Sequence, residues 1–360
     1  MFALTDILNE PVYALKRAQK ETIFSQALGD LTRRHYAGCP EYRKILDLMA
    51  FDANRVTRPE DFPFLPVRLF KEYDLLSVPR EEIVKVMSSS GTSSQQVSRI
   101  FLDRETSSNQ TKVLVKIVSS FLGSQRLPML IIDSRGAIKE RNQFSARGAG
   151  ILGFSMLGRD QTYALDDNME PDIEIITAFL GRHFKKPVML FGFTFMIWEH
   201  FFNRLKKQGV RFDINEGVIV HGGGWKKLIE LSVDNDVFKR TAEELCGVQR
   251  VYNYYGMVEQ TGAIFMECEK GHFHAPIFSD VIIRNPRDFS PMEPGGQGLI
   301  QLLSLLPGSY PGHSILSEDL GELIGVDDCP CGRKGKYFLI HGRLKDAEIR
   351  GCSDVYAASR

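Results

Sequence analysis

The chain has 360 residues, enough for a large core and two lobes. Lysine plus arginine and aspartate plus glutamate both total 45, so no charge excess argues for nucleic acid or an anionic membrane surface. No apolar run reaches the ~18 residues that span a bilayer, and six cysteines in so long a chain do not make a disulfide framework. These features predict a cytoplasmic protein with reduced thiols.

The N-terminal stretch MFALTDILNEPVYALKRAQKE reads as an amphipathic helix, and its acids Asp6 and Glu10 speak against a signal peptide. Residues 1–60 read as helical. Pro63 and Pro66 then exclude a regular helix in DFPFLPVRLFKEYDLL. EEIVKVM and VSRIFLD read as strands on either side of SSSGTSS, residues 88–94. From about residue 110 helix and strand alternate. TKVLVKIVSSFL is helical; RLPMLIID (126–133) and PVMLFGF (187–193) are buried strands. MIWEHFFNRLKKQG (196–209) is an amphipathic helix closed by Gly209. EGVIVHGGG (216–224) is a strand ending in glycines, VFKRTAEELCG a helix and VQRVYNYYG a strand. This rhythm predicts an α/β fold, a mostly parallel sheet wrapped by helices. Beyond about residue 265, PRDFSPMEPGGQG is turn-rich, and LIQLLSLL, LGELIGV and GKYFLIHG read as short strands. The predicted organisation is an α/β core over 1–265, a β-rich subdomain over 266–340 and a hinge-like segment over 341–360.

The loop Ser89, Ser90, Gly91, Thr92, Ser93, Ser94 combines freed backbone N–H groups with hydroxyl donors, which suits phosphate oxygens. Composition alone describes a flexible spacer equally well. The strand-like flanks favour a tight loop over a linker. It is not a Walker loop, because no lysine follows in the required place.

Four further stretches follow in order: YNYYGMVEQTG (252–262), EPGGQGLIQLL (293–303), SEDLGEL (317–323) and HGRLKDAEIRGC (341–352). With the serine loop, this series resembles the adenylate-forming superfamily of acyl-CoA ligases, adenylation domains and luciferases. FPFLPVRLFK, HGGGWKK and AEIRGCS resemble more narrowly the acyl-protein synthetases of that superfamily. CPCGR (329–333) is also similar to phenylacetate-CoA ligase-like members.

The resemblance implies an adenylate-forming core and the use of ATP and magnesium. Ser89–Ser94 would cradle phosphates, and Glu259 would hold Mg²⁺, a hard cation suited to carboxylate and phosphate oxygen. Asp319 would accept from the ribose hydroxyls, with Arg343 on ribose or phosphate. Gly222, Gly223 and Gly224 would let adenine lie against backbone, and Tyr254, Tyr255 and Gly256 would border it. Family members usually continue into a mobile C-terminal lid carrying a lysine. This sequence stops at Arg360, so a truncated lid is expected, with Lys345 and Arg350 as the nearby cations. Cys352 would then receive the acyl group as a thioester and pass it to an acyl-CoA-reductase-type partner. Two rivals stand beside this reading: a ligase that releases the adenylate to coenzyme A, and a non-catalytic, zinc-stabilised interaction protein.

CEKGHFH and CPCG carry a separate set of ligand-type residues: Cys268, His272, His274, Cys329 and Cys331. Three thiolates and one imidazole suit tetrahedral zinc, with His274 the favoured histidine. The alternative is ordinary reduced thiols and surface histidines, because the two halves are far apart in sequence. Cys39 and Cys246 lie in helical contexts as packing thiols. Phe193 and Thr194, at the end of a strand, are candidates for the acyl pocket, with Ile197 in the core. His221 is open to either role, substrate contact or satisfied core histidine.

Overall fold

The computed structural model describes residues 2–53, 55–89, 97–138, 146–225 and 233–343. The first helix starts later than its pattern suggests. Residues before it form one 3-10 turn, Leu4–Asp6, and extended chain, because Pro11 offers no N–H to a helix. Helix α1 (Arg17–Gly38) is followed by α2 (Pro40–Leu48), which opens with proline where no N–H is needed. The proline-rich stretch gives only β1 (Leu65–Pro66) and the single turn α3 (Leu69–Glu72). Strands β2 (Ile83–Ser88) and β3 (Arg99–Asp103) form an antiparallel ribbon.

Helix α4 (Arg104–Leu122) leads into alternating elements. These are β4 (Leu127–Ile131), α5 (Ala146–Ser155), β5 (Gly158–Tyr163), α6 (Ile173–Arg182) and β6 (Val188–Phe193). Asp172 caps α6 by accepting from the Ile175 N–H at 3.0 Å. Next, α7 (Thr194–Met196) runs through a π turn, Ile197–Phe202, into α8 (Asn203–Gln208). Gly209 ends that helix at φ 67°. Then come β7 (Gly217–Gly222), α9 (Asn235–Cys246) and β8 (Arg250–Tyr255). The remainder is strand: β9 (Phe265–Glu267), β10 (Phe273–His274), β11 (Ser279–Arg284), β12 (Gln297–Ser304), β13 (Ser314–Val326) and β14 (Lys336–Arg343). Among the described residues no helix is long and apolar enough to cross a membrane.

The compact units interleave along the chain, unlike the sequential division that the pattern predicts. One unit holds the described residues of 2–89, 97–120 and 256–343; the other holds those of 121–255. In the second unit β8, β7, β6, β4 and β5 lie side by side and parallel. Both faces are buried, so β6 and β7 are buried at every position. One face packs Ile219 and Leu190 against Phe201, Phe202 and Phe238 from the surrounding helices.

In the first unit the strands run β11, β12, β13, β14, β10, β9, paired antiparallel from β11 through to β9, with β1 parallel beside β13. The N-terminal segment is sewn onto them. The Val12 carbonyl accepts from the Ile277 N–H and the Tyr13 carbonyl from the Lys334 N–H, each at 2.9 Å. The Arg17 N–H donates to Asp327 at 2.9 Å. Lys20 reaches the buried Asp280 at 3.2 Å, and Lys336 meets the other oxygen of the same carboxylate at 3.1 Å. Residues 2–20 therefore belong with the strands that the sequence sets apart as a subdomain.

Candidate active site

In the second unit the strands present their carboxyl ends together, where open α/β sheets place ligands. Strand β7 ends at Gly222, and Gly223 and Gly224 follow at φ 87° and 60°. A side chain at Gly223 would be strained, and its Cβ would lie 2.6 Å from the Phe193 ring. Gly150 of α5 presses on the same ring from another direction, and a Cβ there would lie 2.9 Å from it. Phe193 is therefore a wedge between α5 and the glycine turn. A second aromatic group, Phe154 stacked on Phe191 at 4.4 Å and tilted against Tyr254 at 4.9 Å, fills the space beside it. Tyr254 and Tyr255 are half-buried, and Gly256 is exposed.

Thr194 fixes the start of this turn. Its hydroxyl donates to the Gly222 carbonyl at 3.1 Å and lies 3.0 Å from Nδ1 of His221. One hydroxyl proton cannot serve both, so His221 donates from Nδ1. The ring of His221 stacks on Phe238 at 4.3 Å, and burial pushes its pKa down to about 3, with Lys239 adding to the effect. His221 is thus buried and neutral and supports Thr194 through Nδ1, while its Nε2 has no hydrogen-bond partner among the described residues.

In the first unit Glu259 sits in a 3-10 turn, Val258–Gln260, and is buried. The hydroxyl of buried Tyr310 donates to the Glu259 carbonyl at 2.9 Å. The side-chain amide of Gln260 donates to the carbonyls of Leu302 at 3.1 Å and Gly312 at 2.9 Å. Asp319 on β13 and Arg343 on β14 are cross-strand partners, paired Nε to Oδ1 at 3.0 Å. At the end of β2, Ser89 receives the Ser98 N–H on its hydroxyl at 2.9 Å and donates its own N–H to the Ser98 carbonyl at 3.0 Å. Ser90, Gly91, Thr92, Ser93 and Ser94 lie outside the described residues, as do Lys345, Arg350 and Cys352.

The cysteine–histidine set does come together. The ligand atoms of Cys268, His274, Cys329 and Cys331 all lie within 4.8 Å of one another. Cys268 follows β9, His274 ends β10, and the other two lie in the turn from β13 to β14. Nε2 of His274 is 3.3 Å from Sγ of Cys331, whereas Nδ1 of His272 lies farther out, 3.6 Å from Sγ of Cys329. With zinc bonds of roughly 2.0–2.3 Å, a tetrahedron has ligand separations just under 4 Å. The set is therefore of the right chemistry and nearly of the right size, and it fits the metal. Arg333, paired with Glu269 at 2.9 Å, stands close enough to favour negative charge on Cys331. Cys39 and Cys246 are buried elsewhere as free thiols.

Sequence reasoning missed Tyr310 and Gln260. PGSYPGH (307–313) has turn composition and gives no sign that it is buried. It also missed the pair Asp133 and Arg147, joined by two hydrogen bonds at the carboxyl end of β4, since only folding brings α5 there.

Comparison with known proteins decides the family. The family described as acyl-protein synthetase, LuxE, matches residues 4–359. The chain belongs to this acyl-protein synthetase family. Over 345 residues it is 22% identical to a long-chain-fatty-acid–luciferin-component ligase of Vibrio harveyi, covering 93% of this chain and 87% of that one. A ligase of the same description from Photorhabdus luminescens is 35% identical over 74 residues, 21% of this chain and 63% of the other. Among solved structures, a 2-hydroxyisobutyryl-CoA ligase in complex with 2-HIB-AMP and CoA superposes with a TM-score of 0.71 at 17% identity. The match covers 93% of this chain and 77% of that ligase and establishes an adenylate-forming fold. This acyl-protein synthetase family member is thus an enzyme, an acid-activating, ATP-dependent ligase.

Proposed function

We propose that this ligase activates a fatty or other carboxylic acid as its acyl-adenylate, loads the acyl group on Cys352 and delivers it to an acyl reductase. The observation that carries the reading is the family match over residues 4–359, which spans the serine loop, Glu259, Asp319, Arg343 and Cys352. A carboxylate oxygen attacks the α-phosphorus of ATP; a P–O bond forms and pyrophosphate leaves. The Cys352 thiolate then attacks the acyl carbon; a C–S bond forms, the C–O bond to AMP breaks, and AMP leaves with the electron pair. The thioester retains enough activation for later reduction.

The chain's own groups divide the work. Ser89–Ser94 hold phosphate oxygens through N–H and hydroxyl groups. Glu259 would hold Mg²⁺, which would supply positive charge to the phosphates. Asp319 accepts from ribose hydroxyls, and its pairing with Arg343 at 3.0 Å holds the carboxylate in one orientation. Gly222–Gly224 give adenine a backbone surface beside Tyr254, Tyr255 and Gly256. Phe193 and Thr194 bound the acyl end. Cys268, His274, Cys329 and Cys331 would hold a zinc ion in a structural role.

Intact-protein mass spectrometry after incubation with ATP and a panel of straight-chain acids tests the reading. Native protein gains an acyl mass. Cys352→Ser keeps acid-dependent ATP–pyrophosphate exchange and gains none. Acylation that survives in Cys352→Ser, or unchanged turnover with coenzyme A as acceptor, sinks the proposal.

A further inference from the structure

Segment 307–313, between β12 and β13, is buried throughout apart from the half-buried Gly308. Loops seldom run through a core, because each backbone polar group there needs a partner. Here the partners come from several directions. The Pro307 carbonyl lies 3.1 Å from Nε2 of His35. Ser309 donates its hydroxyl to the Phe101 carbonyl on β3 at 2.7 Å and accepts the Ser77 N–H at 2.8 Å. Tyr310 donates to the Glu259 carbonyl at 2.9 Å and lies 3.4 Å from the amide nitrogen of Gln110 on α4. The Gly312 carbonyl takes the Gln260 amide at 2.9 Å. Gly312 has no room for a side chain, since a Cβ would overlap the Tyr310 ring and lie 3.0 Å from the Glu259 carbonyl oxygen.

The segment thus grips the 3-10 turn at two successive residues, Glu259 through its carbonyl and Gln260 through its side chain. The same segment grips β3, one strand of the ribbon that ends at Ser89. We infer that Tyr310 is a positioning residue for adenylation: with Gln260, it fixes the backbone from which the Glu259 carboxylate reaches magnesium. This rests on the reading of Glu259 as the magnesium ligand. Burial and the Glu259 charge both raise the Tyr310 pKa, so the phenol stays a donor at any working pH.

ATP–pyrophosphate exchange by the full chain, driven by a panel of straight-chain acids and titrated with Mg²⁺, tests the inference. Glu259→Gln should abolish exchange; if it exchanges like the native chain, the magnesium reading itself fails. Given that loss, Tyr310→Phe should raise the Mg²⁺ midpoint about three- to tenfold, the effect of one net hydrogen bond, with the KM for acid unchanged. Gln260→Met should shift the same midpoint in the same direction, and decides the matter if Tyr310→Phe does not fold. A lower maximal rate at the native Mg²⁺ midpoint in these variants would mean a merely structural brace and overturn the inference.

Discussion

Nε2 of His274 lies 3.3 Å from Sγ of Cys331, although His274 ends β10 and Cys331 lies in the β13–β14 turn, 57 residues along the chain. With Cys268 and Cys329 they form a preassembled N/S₃ cluster whose ligand atoms lie within 4.8 Å. Purified protein should carry about one zinc per chain by elemental analysis. Cys329→Ser should lose most of that zinc and several kcal/mol of stability. Cobalt exchanged into the site should show thiolate charge-transfer bands. A native chain that is metal-free after growth in zinc, with a melting temperature indifferent to chelator, refutes the site.

Gly223 stands at φ 87°, and a Cβ there would lie 2.6 Å from the Phe193 ring. Gly223→Ala should therefore strain the turn by about 1–3 kcal/mol and displace its backbone. If adenine rests on that backbone, the KM for ATP in the exchange assay rises about tenfold or more. A drop in melting temperature with an unchanged KM would reduce the turn to a structural feature.

Much of this was legible because its signals are local. Gly222–Gly224, the two halves of the zinc set and the Tyr254–Glu259 stretch each announce themselves within a dozen residues. The parallel strands also read well, since burial on both faces makes them continuous apolar runs. The N-terminal residues did not. Their apolar positions are spaced as in a helix, yet Pro11 and the tertiary bonds of Val12 and Tyr13 draw them out along the strands. Helix α5 was missed for the opposite reason: Gly148 and Gly150 lower its propensity, while Gly150 is needed to clear Phe193. Tyr310 was invisible because a PG-rich segment says turn, whereas its burial depends on residues distant in sequence, among them Phe70, Gln110 and Glu259.

Thr194 bonds the Gly222 carbonyl and accepts from His221. Thr194→Val keeps the shape and leaves two buried groups unpaired, which should cost about 1–3 kcal/mol. Thr194→Ser should restore most of that loss. Urea denaturation of the three proteins measures it; equal midpoints for Val and Ser would mean the hydroxyl contributes only packing.

His35 and His313 are stacked at 4.9 Å in the core, near Thr32, Tyr42, Ser77 and the Pro307 carbonyl. Burial pushes His313 from 6.5 down to about 3, and burial plus His313 push His35 well below 6.5. The unfolded chain then takes up protons that the folded chain refuses. Stability is complete above about pH 6.5 and falls as the pH drops from there toward about 3. The loss for His313 is on the order of 4 kcal/mol across that window. Urea midpoints should hold between about pH 8 and 6.5 and fall from there to about pH 5, and His313→Gln should flatten that fall. A native slope no steeper than that of the variant counts against the neutral pair.

The bond from the Arg17 N–H to Asp327 closes a span of 310 residues. On the ribosome Arg17 emerges well before Asp327, so this segment must wait for its strand partners before it can dock. The continuous stretch 121–255 faces no such wait, because every strand of its parallel sheet is made before residue 256. It can therefore condense before the interleaved unit, whose segments are separated by it in sequence. Loss of residues 12–17 would act on that later closure, and through Tyr13 and Lys334 on the loop that bears Cys329 and Cys331, more than on the parallel sheet.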